Sequence, residues 1–249
     1  MPGDIQGVST GEPRSGGGEE SHARRRAPAL SGRFVPDWVH QMRNPLFGLQ
    51  AVLDGLEGEC GQDESRRAFV ALGQTQLERL RRMTDDLLAY AAPPRLNPTQ
   101  IDVARAVRDA TDEVRETAAA RGVTIVDETS SSGVALAADR ARLVLALAHL
   151  LRNAIRRAAP GGTAVVRLTS VERDETRWCE IAVEDDGPPM DEAARTTLFE
   201  PFALRSGERT GLELAIVSSV ADQHSGRASV EVRPSGGLRF VLALPVEVG

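Results

Sequence analysis

The sequence has no lysine: all 30 of its basic residues are arginine. A phosphate-binding P-loop needs a Lys on the phosphates, an ordinary protein kinase needs its strand Lys, and a pyridoxal enzyme needs a Schiff-base Lys. All three are excluded. A GC-rich coding sequence, in which Arg codons replace Lys codons, accounts for the bias, and the exclusions hold whatever its origin. Cysteine is nearly absent too. Cys60 and Cys179 lie far apart without CxxC spacing, so neither a disulfide framework nor a zinc site is indicated, and both are expected to be buried structural thiols. No apolar run approaches the roughly 18 residues of a membrane span, and the opening MPGDIQGVST has neither the basic nor the apolar part of a leader. A cytoplasmic location is the expectation. Positive charge is in deficit, with 30 basic against 36 acidic residues and a net charge of −6. That balance argues against non-specific nucleic-acid binding, which neutralises phosphates with a basic face.

At about 100–200 residues per domain, the length allows one or two domains with a sizeable core. Residues 1–32 are rich in Gly, Ser, Glu and Arg and offer almost nothing to bury, so they are expected to form a disordered tail. Over residues 33–92 the apolar positions step by three or four: Val35, Trp38, Met42, Leu46, Leu49, Leu53 and Leu56, then, after the break GECGQD, Phe69, Leu72, Leu77, Leu80, Met83 and Leu87. This predicts two amphipathic helices, the second stopped by Pro93 and Pro94. A two-helix hairpin with so narrow a seam is completed by a second copy, so a homodimeric four-helix bundle is expected.

Residues 93–100, rich in Pro, read as a linker. Beyond it the pattern is mixed: helices over 101–120, 139–159 and 212–223, and strands over 123–126, 164–171, 178–183, 228–232 and 238–244. The expected fold class is therefore α+β, an α-hairpin followed by a two-layer α/β sandwich over residues 101–249.

The segment His40-Gln41-Met42-Arg43-Asn44-Pro45-Leu46 lies inside the first helix. His40 is two residues from both Trp38 and Met42, about 200° around the wheel from each, which directs it away from the apolar seam. An exposed imidazole is nucleophilic near neutral pH and suited to accept a phosphoryl group. Pro45 removes the hydrogen bond to the Gln41 carbonyl and is expected to bend the helix beside His40.

This segment resembles the phosphoacceptor box of bacterial two-component sensor histidine kinases, H-E-[LIV]-[RK]-[NT]-P-L. The resemblance implies that His40 is phosphorylated and that Asn44 supports dephosphorylation of a response regulator. Gln41 stands where the family usually has an acid; an amide accepts a hydrogen bond but takes no proton.

The similarity continues into the GHKL-type ATP-binding domain. In DRARLVLALAHLLRNAI, from Asp139 to Ile155, the match to the Asn box makes Asn153 the Mg²⁺ ligand and Arg156 a phosphate contact, while His149 replaces a second Asn. Glu184-Asp185-Asp186-Gly187-Pro188-Pro189 matches the first glycine box; Asp185 would accept from the adenine amino group, Gly187 would allow close backbone approach, and Pro189 replaces a glycine. Leu198-Phe199-Glu200-Pro201-Phe202 resembles the F box, placing Phe199 at the entry to the ATP lid. The second glycine box, G-T-G-L-G-L-A in the family, reads Arg209-Thr210-Gly211-Leu212-Glu213-Leu214-Ala215, retaining only Gly211. Glu213 would bring a carboxylate near phosphate, with Arg209 as a partial offset.

Two functions follow from the resemblance. One is an ATP- and Mg²⁺-dependent histidine kinase that autophosphorylates His40 and passes the group to the receiver domain of a response regulator, its input open between a separate sensor protein, a partner binding the hairpin and a truncated gene product. The other is a phosphotransfer or scaffold dimer that binds the regulator while its sandwich domain has lost ATP turnover.

Overall fold

The computed structural model describes residues 34–59, 63–129, 134–203 and 211–246; the expected tail, Cys60 and Arg209 lie outside them. The chain opens with two long helices, α1 (Phe34–Glu59) and α2 (Glu64–Ala91), packed on each other. Asp63 caps α2 by accepting from the Arg66 N–H, and the Pro pair follows its last turn. The helical backbone of α1 continues through Pro45. Buried apolar positions described in the hairpin are Val39, Leu46, Val70 and Leu77, whereas Phe47, Leu49, Val52, Leu56, Phe69, Leu72, Leu80 and Met83 are exposed. Several residues of the predicted seam therefore face outward, which is a wide apolar surface for one chain to leave in water.

The second unit is an open sheet with helices on one face. Strands β2 (Thr124–Asp127), β4 (Thr163–Arg173), β5 (Thr176–Asp185), β6 (Arg227–Val232) and β7 (Leu238–Val246) run in the order β2-β4-β5-β7-β6, antiparallel except for the β2–β4 pair. Helices α3 (Val103–Arg121), α4 (Arg140–Arg157) and α6 (Glu213–Gln223) supply the core with the sheet, and a short α5 (Glu192–Thr196) precedes the segment 204–210. A separate ladder pairs β1 (Thr99–Asp102) with β3 (Ala135–Ala138). Three features depart from the expectations. Thr99 and Gln100 belong to β1 rather than to a linker, Ile101 is in that strand rather than a helix, and β3 and α5 lie in stretches to which the sequence reading assigns no element. Four-residue ladders such as β1–β3 carry too few alternations for periodicity to register.

The sheet shows why this sequence makes a one-sided layer. Along β5, Cys179, Ile181, Val183 and Asp185 point to the helices, while Glu180, Ala182 and Glu184 point away. On the outer face Glu180 pairs with Arg173 at 2.7 Å, and Glu184 with Arg233 at 3.2 Å, Arg167 at 3.5 Å and Arg239 at 3.5 Å. Arg167 also bonds Glu128, and Arg239 bonds Glu231 at 2.8 Å. This lattice of arginine forks lies on the face that has no helical layer, where Ala182, Val241 and Ala243 form a small buried cluster with Trp178 packed against it. Cys179 is fully buried, as expected, and burial with the Glu180 charge beside it pushes its thiol up to about 12.

Ile155 on α4 is completely buried between sheet and helices. Ile155→Ala is expected to cost about 2–5 kcal/mol, seen as a lower urea midpoint at unchanged slope.

Candidate functional site

Four of the helices begin with an aspartate cap: Asp63 for α2, Asp102 for α3, Asp139 for α4 and Asp191 for α5. Asp139 also accepts from the Asn97 N–H at 3.0 Å, so its place in the sequence motif is explained by capping. Helix α6 differs. Its N-cap is Leu212, which offers no side-chain acceptor, and the Glu213 carboxylate accepts from the Gly211 N–H at 3.0 Å instead. Gly211 adopts φ +76°, a conformation suited to glycine, and its carbonyl accepts from the Phe202 N–H at 2.6 Å. Residues 202 and 211 are thereby joined across the segment 204–210, and Arg209, expected to offset Glu213, lies outside the described residues.

One face of α4 carries His149, Asn153 and Arg156, spaced by four and three residues. Asn153 is buried, and its amide nitrogen makes no hydrogen bond. Such a donor costs roughly 1–3 kcal/mol unless an acceptor satisfies it, so a ligand oxygen, such as that of a phosphate, has a physical rationale at this position. Arg156 extends to Glu213 at 3.6 Å. This ion pair joins the C-terminal half of α4 to the first turn of α6.

Asp185 ends β5 and is wholly buried. Its Oδ1 accepts from the backbone N–H of Gly187 at 2.9 Å and of Leu238 at 3.3 Å, and its Oδ2 accepts from Nε of Arg157 at 2.9 Å. The same guanidinium donates to the Pro188 carbonyl at 2.5 Å, and Arg233 donates to the Asp185 carbonyl at 2.8 Å. Gly187 is required where it stands: a Cβ there would lie 2.5 Å from the Arg157 carbonyl oxygen. Pro189 is exposed. Phe199 is partly buried against the core.

Two groups therefore meet the C-terminal half of α4, on which Asn153 lies: Glu213 and Gly211 at Arg156, and Asp185 and Gly187 at Arg157. Arg157 escaped the sequence reading. It is the second arginine of a run of two and carries no spacing signal of its own. His40 and Gln41 lie on the α1 backbone, while the expected outward aim of His40 concerns a side chain outside the described residues. Asn44 is exposed, and Arg43 bonds Asp85 of α2 at 2.6 Å. Among the described residues no three His, Cys, Asp or Glu side chains converge as a metal site. A Mg²⁺ ion could take the Asn153 amide oxygen and draw its remaining ligands from phosphate and water, which suits an ion that keeps several waters. The residues thus fit the nucleotide-bound form of the ion.

His149 is buried where the hairpin meets the sandwich, with Asp86 of α2 3.5 Å from its Nε2. That carboxylate favours a protonated ring, but burial and the guanidiniums of Arg152 and Arg156 oppose it more strongly and push the imidazole down to about 3.

Two family models match the chain: the "His Kinase A (phospho-acceptor) domain" over residues 30–93, and the "Histidine kinase-, DNA gyrase B-, and HSP90-like ATPase" over residues 138–248. The sensor histidine kinase ZraS of Klebsiella oxytoca is 25% identical over 228 residues, covering 92% of this chain and 49% of ZraS. The signal transduction histidine-protein kinase AfsQ2 of Streptomyces coelicolor is 30% identical over 236 residues, covering 86% of this chain and 42% of AfsQ2. Full-length ShkA, solved in complex with AMPPNP, matches with a TM-score of 0.72 at 25% identity, over 86% of this chain and 46% of ShkA. The chain spans about half the length of the curated relatives it matches. No helix among the described residues is long and apolar enough to cross a membrane.

His149 stays neutral in the folded state down to about pH 3, whereas in the unfolded chain it protonates near 6.5. The unfolded state therefore binds the extra proton, and stability falls as pH drops through 6.5. Between pH 7 and pH 5 the loss is expected to be about 2 kcal/mol. Urea unfolding of wild type and His149→Asn at both pH values measures it, and the slope specific to His149 is expected to vanish in the variant.

Proposed function

Because this chain belongs to the two-component sensor histidine kinase family, we propose that it phosphorylates its own His40 from ATP and passes the phosphoryl group to an aspartate on the receiver domain of a response regulator. The observation that carries this reading is the buried Asn153, its amide nitrogen without an acceptor, on the helix whose Arg157 bonds Asp185, in the same chain as a helical His40 box. ATP supplies the transferable γ-phosphoryl group, and Mg²⁺ the charge that steadies it.

The chain's own work is binding and positioning, as in other phosphoryl transfers. Asp185 presents a carboxylate held by two backbone donors to the adenine amino group, and Gly187 leaves room beside it. Asn153 supplies an oxygen to the ion, Arg156 a guanidinium to the phosphates, and Phe199 anchors the start of the lid. His40 gives an imidazole nitrogen to the γ-phosphorus while the bond to the bridging oxygen breaks, leaving ADP. Gln41 orients the ring by hydrogen bonding, and the proton goes to solvent, because an amide takes none. Asn44, exposed on the next turn, faces an incoming regulator. The outward apolar residues of the hairpin, Phe69 and Leu72 among them, are covered in a homodimeric four-helix bundle. In this reading the chain acts in the cytoplasm.

The alternative, a dimeric phosphotransfer scaffold without ATP turnover, is favoured by one observation, the Glu213 carboxylate at the head of α6. γ-Labelled ATP with Mg²⁺ decides between the two. Wild type is expected to gain an acid-labile label, with His40→Ala losing it entirely and Asn153→Ala reduced by about two orders of magnitude or more. Absence of label on the wild type overturns the kinase reading. For the bundle, Leu72→Glu is expected to convert dimer to monomer in sedimentation, with the helical signal of the sandwich domain kept.

A further inference from the structure

We propose that the two ends of the nucleotide site are held by the chain's own side chains, Arg157 in the place of the adenine amino group and Glu213 in the place of a phosphate, so that nucleotide must displace both to bind. This rests on the reading of Asp185 and Arg156 as nucleotide contacts, and adds to it the residues that set affinity and base preference.

The adenine end has a donor already. An exocyclic amino group offers N–H to a carboxylate; so does a guanidinium, and with a charge, which makes the bond stronger. Nε of Arg157 sits 2.9 Å from Oδ2 of Asp185, with side chains only 8% and 0% exposed, and a second nitrogen of the fork is bonded to the Pro188 carbonyl. Both Asp185 oxygens are thus engaged, Oδ1 by backbone and Oδ2 by Arg157. A neutral amino group approaching this carboxylate competes with a buried, doubly bonded cation.

At the phosphate end the matching substitution is an anion. Backbone N–H groups at a helix start, with an arginine beside them, form an anion site. In α6 that place is taken from within: the Glu213 carboxylate accepts from the Gly211 N–H and lies 3.6 Å from Arg156, with its side chain 11% exposed. The two substitutions are opposite in sign and each matches the polarity of the ligand end it replaces. They are also adjacent in origin, since Arg156 and Arg157 are successive residues of α4 and point to the two ends.

The two residues act on different parts of the ligand, and this makes the idea testable by calorimetry with Mg²⁺, using ADP, inosine diphosphate and adenosine on the full chain. In wild type the adenine amino group earns little, so ADP and inosine diphosphate are expected to bind within about threefold of each other. Arg157→Gln keeps a polar side chain but removes the cation; it is expected to tighten ADP about tenfold and to open a preference for ADP over inosine diphosphate. Glu213→Gln, which keeps an acceptor for the Gly211 N–H, is expected to tighten ADP by a similar factor and leave adenosine unchanged. A wild type that already prefers ADP more than about tenfold, or variants that gain nothing, overturns the proposal while leaving the nucleotide site standing. If no protein binds any of the three ligands, with circular dichroism unchanged, the nucleotide reading falls and the proposal with it.

Discussion

The carboxylate of Asp185 is the point through which the second unit of this protein is tied together. It lies at the end of β5, on the helix side of the sheet, with no exposure to solvent. Through it the first turn after β5 is fixed by Gly187, the start of β7 by Leu238, and the end of α4 by Arg157. Gly237 takes a positive φ directly over the Asp185 carbonyl, where a Cβ would collide with that oxygen, so even the loop entering β7 is shaped around this residue. A charge buried this deeply is costly to desolvate, and it is retained only with donors on every side. Three elements must be in place before those donors converge, so folding of the sheet end, the glycine turn and α4 are one event energetically.

A chain without lysine meets its cationic needs with planar forks, and the structure shows the consequence in two places. On the outer face of the sheet, Arg167, Arg173, Arg233 and Arg239 share Glu180 and Glu184, a many-to-few lattice suited to side chains with several donors in fixed directions. In the site, the same property lets Arg157 satisfy a carboxylate and a carbonyl at once. A compact ammonium would hold either partner as a point charge and bring less geometric definition.

The long elements were readable because their periodicity is clean. The hairpin helices and the strands β4, β5, β6 and β7 match the sequence expectations to within a few residues, since each carries several turns or alternations of one pattern. The β1–β3 ladder was hidden because four-residue strands at a domain edge look like linker, and because Ile101 and Asp102 sit against a helix whose cap is Asp102 itself. In the site, Asp185, Gly187, Asn153 and Gly211 could be placed by motif spacing, and Glu213 stood out as a wrong charge in a glycine position. Arg157 did not stand out, because a second arginine in a run of two carries no spacing signal. Its role depends on which way one turn of α4 faces a strand end 28 residues later, and only tertiary geometry supplies that.

Helix α4 therefore answers to three surroundings. Its buried apolar side, including Leu143, Leu147 and Ile155, packs into the core. His149 faces Asp86 of the hairpin, where Leu87, Ala89 and Tyr90 of α2 also rest on the sandwich core. Arg156 and Arg157 lie at its end, holding Glu213 of α6 and Asp185 of β5. An α-helix is stiff over this length, so a displacement at His149 reaches Arg156, two turns on, with little loss. One helix thus carries the hairpin contact at His149 and the ion pairs at Arg156 and Arg157 on a single frame.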